Sequence, residues 1–185
     1  MTGAEMKKAA LQLVERVKAI MLNPSSEWPM IEQEPSTLTG LLLRYVAILA
    51  AIPEIAHLIG QTVIGAAHAP LTSSLLRAVI VYLVTFAMVY IIAGIIDLLA
   101  PRFGGRKNFS NAVKLSVYSH TPLWLAGIFL LIPGLNFLAI LGLYGFYLLW
   151  VGLPLLMRVK REQALPYAVF VTACALVPAV VLSLV

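Results

Sequence analysis

The chain has few charged residues and almost no cysteine, and both shortages narrow what it can be. Only 11% of its 185 residues are charged, against about a quarter in ordinary soluble domains. Hydrophobic residues make up 61%, and the mean hydropathy is +0.95. The single cysteine, Cys174, lies in an apolar run, which excludes a disulfide framework or a cysteine metal cluster within one chain. This composition predicts an all-α, polytopic membrane protein.

The sequence also lacks a low-complexity linker, a glycine-rich phosphate loop and an internal repeat. We therefore expect one domain over residues 1–185. Five apolar runs have the length of a membrane span, roughly 20 residues each, and they predict a five-helix transmembrane bundle. The predicted spans cover about residues 36–60, 71–99, 112–132, 135–157 and 165–185.

Residues 1–35 are the one sizeable polar segment. Apolar residues recur every three to four positions from Met6 to Met21, and lysines fill the opposite face. The pattern is typical of an amphipathic helix lying in the plane of the membrane interface, near anionic head groups. The alternative is that the same stripe packs on the cytoplasmic end of the bundle. Asn23-Pro24 ends this helix, and Trp28 is interpreted as an interfacial anchor.

Lysine and arginine are absent from alternate predicted loops, namely residues 61–70 and 132–136. They are present before the first span and in the other two connectors. Because cytoplasmic loops retain basic residues, this alternation predicts a cytoplasmic N terminus and a C terminus outside. We therefore interpret the basic residues behind the net charge of +5 as determinants of membrane topology, and nucleic acid is not an expected partner.

Four charged residues fall inside the first two predicted spans. If these helices fold back about residues 65 and 66, Glu54 and Arg77 lie at nearly the same depth. An ion pair is expected there, because an isolated charge at the bilayer centre costs about 2.5 to 3.5 kcal/mol. Arg44 must snorkel to reach Asp97, or it meets N-terminal carboxylates or head groups instead. We interpret this candidate charge network as a staple between the helices, and a transport pathway is the alternative.

The third and fourth predicted spans carry several polar side chains, which lipid cannot hydrate. Folding the two spans back at Pro133-Gly134 brings these side chains together at mid-membrane. We expect one contact cluster of Lys114, Tyr118, Thr121 and Tyr147, and we interpret it as interhelical hydrogen bonding, with a substrate or ion site as the alternative. The whole candidate polar seam comprises Lys114, Tyr118, His120, Thr121, Tyr144 and Tyr147.

Enzyme chemistry is not indicated by the motifs. Ser119 and His120 are adjacent, so on a helix they point about 100° apart and do not form a nucleophile and base pair. Glu54 and His57 resemble half of a metal motif, but no further ligand is evident. We predict no catalytic residues, no cofactor and no metal site.

Four stretches carry a family resemblance. They are N-P-S-S-E-W (23–28), A-V-K-L-S-V-Y-S-H-T-P-L-W-L-A-G (112–127), L-I-P-G-L (131–135) and L-Y-G-F-Y-L-L-W-V-G-L-P (143–154). Together they resemble bacterial members of the Yip family, the Ypt- and Rab-interacting membrane proteins.

The resemblance implies a five-helix integral membrane protein, here in the bacterial inner membrane. The family's eukaryotic members act in vesicle traffic and carry a D-L-Y-G-P motif ahead of the first span. In this chain the nearest match, residues 97–101, follows the second span. We therefore do not extend the Rab binding of the eukaryotic members to this chain.

Two classes of function follow. The first is a non-enzymatic membrane organiser or adaptor, meeting anionic lipid head groups, a second copy of itself or another membrane protein. The second is a small channel or transporter that uses the polar seam and the charges of the first two spans. A dry, packed interior favours the first, and a continuous polar cavity favours the second.

Overall fold

The computed structural model describes residues 3–35, 37–64, 70–132 and 134–183, and all regular secondary structure within these ranges is helical. The predicted all-α class is confirmed. A 3-10 turn, Gly127–Leu131, continues the sixth helix. In chain order the helices are α1 Gly3–Leu22, α2 Pro24–Gln33, α3 Leu38–Ile64, α4 Leu71–Phe103, α5 Phe109–Ser119, α6 Thr121–Ala126, α7 Asn136–Leu156 and α8 Arg161–Ser183.

Three helices are long and apolar enough to cross a membrane. They are α3, α4 and α7, with mean hydropathies of 1.7, 2.7 and 1.9, and they correspond to the first, second and fourth predicted spans. The third predicted span is divided between α5 and α6, and α8 covers the fifth. Ser36, Pro133 and residues 184–185, which belong to the predicted span ends and turn, lie outside the described residues.

Local sequence explains where these helices are irregular. The α3 helix contains a π segment at Leu42–Val46. The α5 helix ends at Ser119 because Pro122, in the first turn of α6, has no N–H to donate. The α7 helix begins as a 3-10 helix over Asn136–Leu143 before it becomes α-helical. The polar seam therefore lies on helices that break or change type at its level.

The helices α1 and α2 form a hairpin around Asn23, which we call the N-terminal hairpin. In α1, Ile20 is completely buried, and Leu13, Val17 and Met21 pack against the core. Packing on the bundle, one of the two alternatives from the sequence, thus describes the second half of α1. The interpretation of Trp28 as an interfacial anchor is wrong, because α2 turns its ring into the core, where none of it is exposed.

Glycines allow α7 to approach its neighbours closely. A Cβ built on Gly145 lies 2.3 Å from the carbonyl oxygen of Ser119 on α5. One built on Gly152 lies 2.6 Å from Leu115 Cδ2 and 2.7 Å from the Trp28 ring of α2. At both glycines the neighbouring atoms occupy the space that a methyl group would need, so α7 packs directly against α5 and the hairpin.

The two connectors that are rich in basic residues meet at one end of the molecule. The Arg106 amide donates to the Met157 carbonyl at 2.9 Å, and Asn111 Nδ2 donates to the Leu156 carbonyl at 2.9 Å. We call this region the basic end. Its exposed cations are Arg102, Arg106, Lys107, Arg158, Lys160 and Arg161.

Candidate functional site

Lys114 holds the end of α2 against α5. The lysine is buried, with 4% of its surface exposed, and its Nζ donates to the carbonyl oxygens of Ile31 at 2.8 Å, Glu34 at 2.8 Å and Glu32 at 3.3 Å. The last carbonyls of a helix lack partners within the helix and carry partial negative charge. One ammonium group therefore satisfies several of them and binds the hairpin to the bundle.

Arg16 joins the two helices of the hairpin. Its guanidinium binds the carboxylate of Glu27 and, at 2.6 Å, that of Glu34. The Glu27 side chain is only 9% exposed and that of Arg16 is 23% exposed. A charge pair this far from solvent requires both partners, because removing one leaves the other buried without a counter-charge.

Tyr118 and Thr121 connect α5 and α6 with α3 and the hairpin. The hydroxyl groups of Tyr45 and Thr121 share a buried hydrogen bond of 2.8 Å. The Tyr118 ring meets the Tyr45 ring edge-on, with centroids 4.8 Å apart, and the Trp28 ring at 6.1 Å. We call Arg16, Glu27, Glu34, Tyr45, Lys114, Tyr118 and Thr121 the polar junction.

Two seam residues make their polar contacts elsewhere. Tyr144 on α7 donates its hydroxyl to the Met21 carbonyl of α1 at 3.0 Å. His120, at the break after α5, places Nδ1 2.6 Å from the Ser116 carbonyl. Both side chains therefore satisfy backbone groups rather than each other.

The expected cluster of Lys114, Tyr118, Thr121 and Tyr147 is wrong with respect to Tyr147. That side chain is 37% exposed and lies beside Tyr144 and Trp150 on the outer face of α7. The reason is that the hairpin, and not the Tyr147 face of α7, packs against the polar side of α5. The fourth predicted span contributes Gly152 and apolar side chains to this contact instead.

The four predicted intramembrane charges do not form a network in the structure. Arg77 places Nη1 3.1 Å from His57 Nδ1, one helical turn from Glu54, and no ion pair joins Arg77 and Glu54. Arg44 is exposed, and one buried carboxylate oxygen of Asp97 has no hydrogen-bond partner among the described residues. The expected direct ion pair of Glu54 with Arg77 is not formed, because His57 bonds to Arg77 instead, although Glu54 still lies within the electrostatic influence of Arg77. Among the described residues no ion pair joins Arg44 and Asp97, so the alternative in which Arg44 meets head groups stays a prediction.

An open groove of about 200 Å³ lies between α3 and α4. Glu54 is its charged lining residue, and the other members are apolar or, like Tyr82, bonded elsewhere: the Tyr82 hydroxyl donates to the Ala47 carbonyl. In the described part of the chain, no three His, Cys, Asp or Glu side chains are arranged to hold a metal ion. The groove therefore has the character of a helix–helix surface depression and not of a polar channel.

Sequence reasoning missed Arg16, Glu27 and Tyr45. It left two positions open for the N-terminal segment, the membrane interface and the cytoplasmic end of the bundle, and neither indicated which charges would pair. A signal was present in α1: Arg16 lies three residues after Leu13 and four before Ile20, so it shares their buried face. Tyr45 had no such signal, because the π segment that turns it towards Thr121 is not visible in an apolar run.

The three long apolar helices α3, α4 and α7, in a chain whose described regular structure is all helical, define an integral membrane protein of the all-helical class. A family model described as the Yip1 domain matches residues 18–182, and the chain belongs to this family. The resemblance seen in the sequence is thereby confirmed.

Two similar proteins are both named inner membrane protein YohC, one from Escherichia coli strain K12 and one from Escherichia coli O6:H1. Each is 28% identical over 166 residues, which cover 84% of this chain and 85% of the relative. No solved structure matches the chain.

Proposed function

We propose that this protein is a non-enzymatic organiser or adaptor in the bacterial inner membrane. The relatives are named inner membrane proteins, which supports this location. Alongside the three apolar helices, residues 109–131 and α8 supply two further spans of 23 residues each, giving five. An odd number of spans places the termini on opposite sides, with the N terminus cytoplasmic by the positive-inside rule.

The observation that carries the proposal is the convergence of separate basic stretches at the basic end. Connectors that are about fifty residues apart in sequence meet through the Arg106 and Asn111 contacts. Most of their cations are exposed to solvent, although Arg158 pairs with the carboxylate of Glu32, and the carboxylates of Glu27 and Glu34 are engaged by Arg16. The face that results is strongly positive and suits the anionic head groups of the cytoplasmic leaflet.

The interior supports an organiser more than a channel or transporter. Several buried polar side chains are bonded to other parts of the bundle: Lys114 to α2, Tyr45 to Thr121, and Ser116 to the Val89 carbonyl at 2.9 Å. The exceptions among the described residues are Trp28 Nε1, Ser119 Oγ and one oxygen of Asp97, which lie apart from one another in the sequence. A conducting path needs polar groups that remain available to a solute. These groups are instead used to hold helices together.

Lipid retention after purification tests the proposal. The protein is extracted from mixed phosphatidylethanolamine and phosphatidylglycerol bilayers, and bound lipid is counted by native mass spectrometry. The test variant carries Arg102→Gln, Arg106→Gln and Lys107→Gln. The matched control, with Arg102→Lys, Arg106→Lys and Lys107→Arg, keeps the charge.

Each surface cation contributes about 1 kcal/mol to binding an anionic membrane, so the glutamine variant loses up to about 3 kcal/mol. We expect it to retain far less phosphatidylglycerol than the control, and we expect added salt to reduce retention by the control. Equal phosphatidylglycerol retention by the two variants overturns the proposal.

A further inference from the structure

Arg158 lies at the basic end, in the short connector between α7 and α8. It follows Met157, whose carbonyl accepts from the Arg106 amide of the other connector. The Arg158 backbone is left-handed, with a φ of 56°, a conformation that is common just beyond a helix end but is usually taken by glycine. The contact between the connectors involves only backbone atoms, so substitution of the Arg158 side chain leaves it intact.

The Arg158 guanidinium joins the basic end to the N-terminal hairpin. Its Nη2 donates to the Glu32 carboxylate at 2.5 Å. The Arg158 side chain is 62% exposed and that of Glu32 is 19% exposed, whereas the side chain of Arg16, which forms its ion pairs within the hairpin, is 23% exposed. Of these two arginines, Arg158 is therefore the one that a lipid head group can reach.

The attachment of α2 to the bundle does not depend on the Glu32 carboxylate. Lys114 holds backbone carbonyl oxygens at the end of α2, including that of Glu32 itself. The Trp28 ring is buried in the core. The carboxylate can therefore release Arg158 while α2 stays in place.

An exposed ion pair and an anionic membrane attract an arginine with similar strength. The ion pair is weak because water screens both charges, and the attraction of one surface cation to an anionic leaflet is of the same order. A guanidinium binds a carboxylate and a phosphate through the same fork of N–H donors. The Arg158 side chain can thus serve Glu32 or the phosphate of a head group.

We propose that Glu32 is an internal competitor of anionic lipid for Arg158. It masks one cation of the basic end, and the phosphate of phosphatidylglycerol displaces the carboxylate when the protein meets an anionic leaflet. The competition is reciprocal, because the factor by which the pair weakens lipid binding is the factor by which lipid weakens the pair. This inference rests on the proposed function, since it requires the basic end to bind anionic head groups.

Phosphatidylglycerol binding by Glu32→Gln tests the masking, with bound lipid counted by native mass spectrometry after extraction from mixed phosphatidylethanolamine and phosphatidylglycerol bilayers. Glu162→Gln is the matched control, because it removes an exposed carboxylate from the first turn of α8 and changes the net charge equally. Glu32→Asp keeps the charge and shortens only the reach to Arg158. Each variant is made with Arg158 present and in an Arg158→Gln background.

We expect Glu32→Gln to raise phosphatidylglycerol binding by up to about fivefold, the factor that corresponds to the strength of an exposed ion pair. Glu32→Asp should act in the same direction. Both gains should disappear in Arg158→Gln, where no cation remains to be unmasked, while any gain from Glu162→Gln should persist there.

An equal gain from Glu32→Gln with and without Arg158 overturns the inference. If Glu32→Gln does not fold, unchanged phosphatidylglycerol binding by Glu32→Asp does the same. In both cases the proposed function stands as long as the triple glutamine variant retains less phosphatidylglycerol than its charge-preserving control. Equal retention by that pair overturns the proposed function and this inference together.

Discussion

Gly152→Ala should destabilise the protein by forcing α7 away from the N-terminal hairpin. The added Cβ would lie 2.6 Å from Leu115 Cδ2 and 2.7 and 2.9 Å from two carbons of the Trp28 ring. Neither neighbour yields easily, because both side chains are completely buried. Overpacking of this kind costs about 1 to 3 kcal/mol.

Gly94→Ala is the matched control for this prediction. It adds the same methyl group within α4, but no atom lies within 4 Å of the new Cβ. There the change should be neutral or should stabilise the helix by about 0.5 to 1 kcal/mol, since alanine loses less backbone entropy than glycine. Gly152→Ala is thus predicted to destabilise the protein, and Gly94→Ala is not.

Unfolding free energies in mixed micelles, measured by circular dichroism against rising denaturing detergent, check this prediction. Protease sensitivity near residue 23 reports separately on release of the hairpin, and it should rise in Gly152→Ala alone. If Gly152→Ala and Gly94→Ala unfold at the same detergent fraction with equal protease resistance, the close contact of α2 with α7 does not exist.

Two further predictions concern the polar junction. In a double-mutant cycle, the losses of unfolding free energy for Arg16→Ala and Glu27→Gln should sum to more than the loss for the double variant. We expect this difference, the coupling energy, to be about 1 to 2 kcal/mol because the pair is largely shielded from water. Additive losses would contradict the ion pair. Tyr45→Phe and Thr121→Val should each lower the free energy of unfolding by about 1 kcal/mol, because each breaks the same hydrogen bond. As a control, Tyr147→Phe should leave the free energy of unfolding unchanged. An equal loss for Tyr147→Phe and Tyr45→Phe would show that the buried hydroxyl pair does not contribute specifically to stability.

Hydropathy predicted the helical class and the positions of α3, α4 and α7, because burial in lipid needs a continuous apolar run that the sequence displays directly. The positions of helix breaks were harder to predict from the sequence. Pro122 did indicate a lost hydrogen bond near Tyr118, but it did not show that α5 would end at Ser119. The π segment around Tyr45 left no mark in composition, since its residues are as apolar as their neighbours.

Partner choice was the part of the site that sequence could not determine. Depth arguments assign two residues to the same level of the membrane, but they do not fix the rotation of either helix. In the structure Tyr147 lies beside Tyr144 and away from Lys114, and His57 instead of Glu54 bonds to Arg77. The partners of Lys114 are backbone carbonyls of α2, and a carbonyl has no signature in the sequence.

The need of buried polar groups for bonding partners also explains the N-terminal hairpin. A buried cation such as Lys114 needs acceptors, and carbonyls in the interior of a helix are already occupied by the helix itself. The α2 helix ends beside Lys114 and offers its free terminal carbonyls there. For α2 to end at that level, the hairpin turn must lie deeper, beside Tyr144. Lys114 of α5 therefore explains why the N-terminal hairpin packs into the bundle, where Arg16 and Glu27 pair away from solvent while Lys7, Lys8, Glu15 and Lys18 stay exposed.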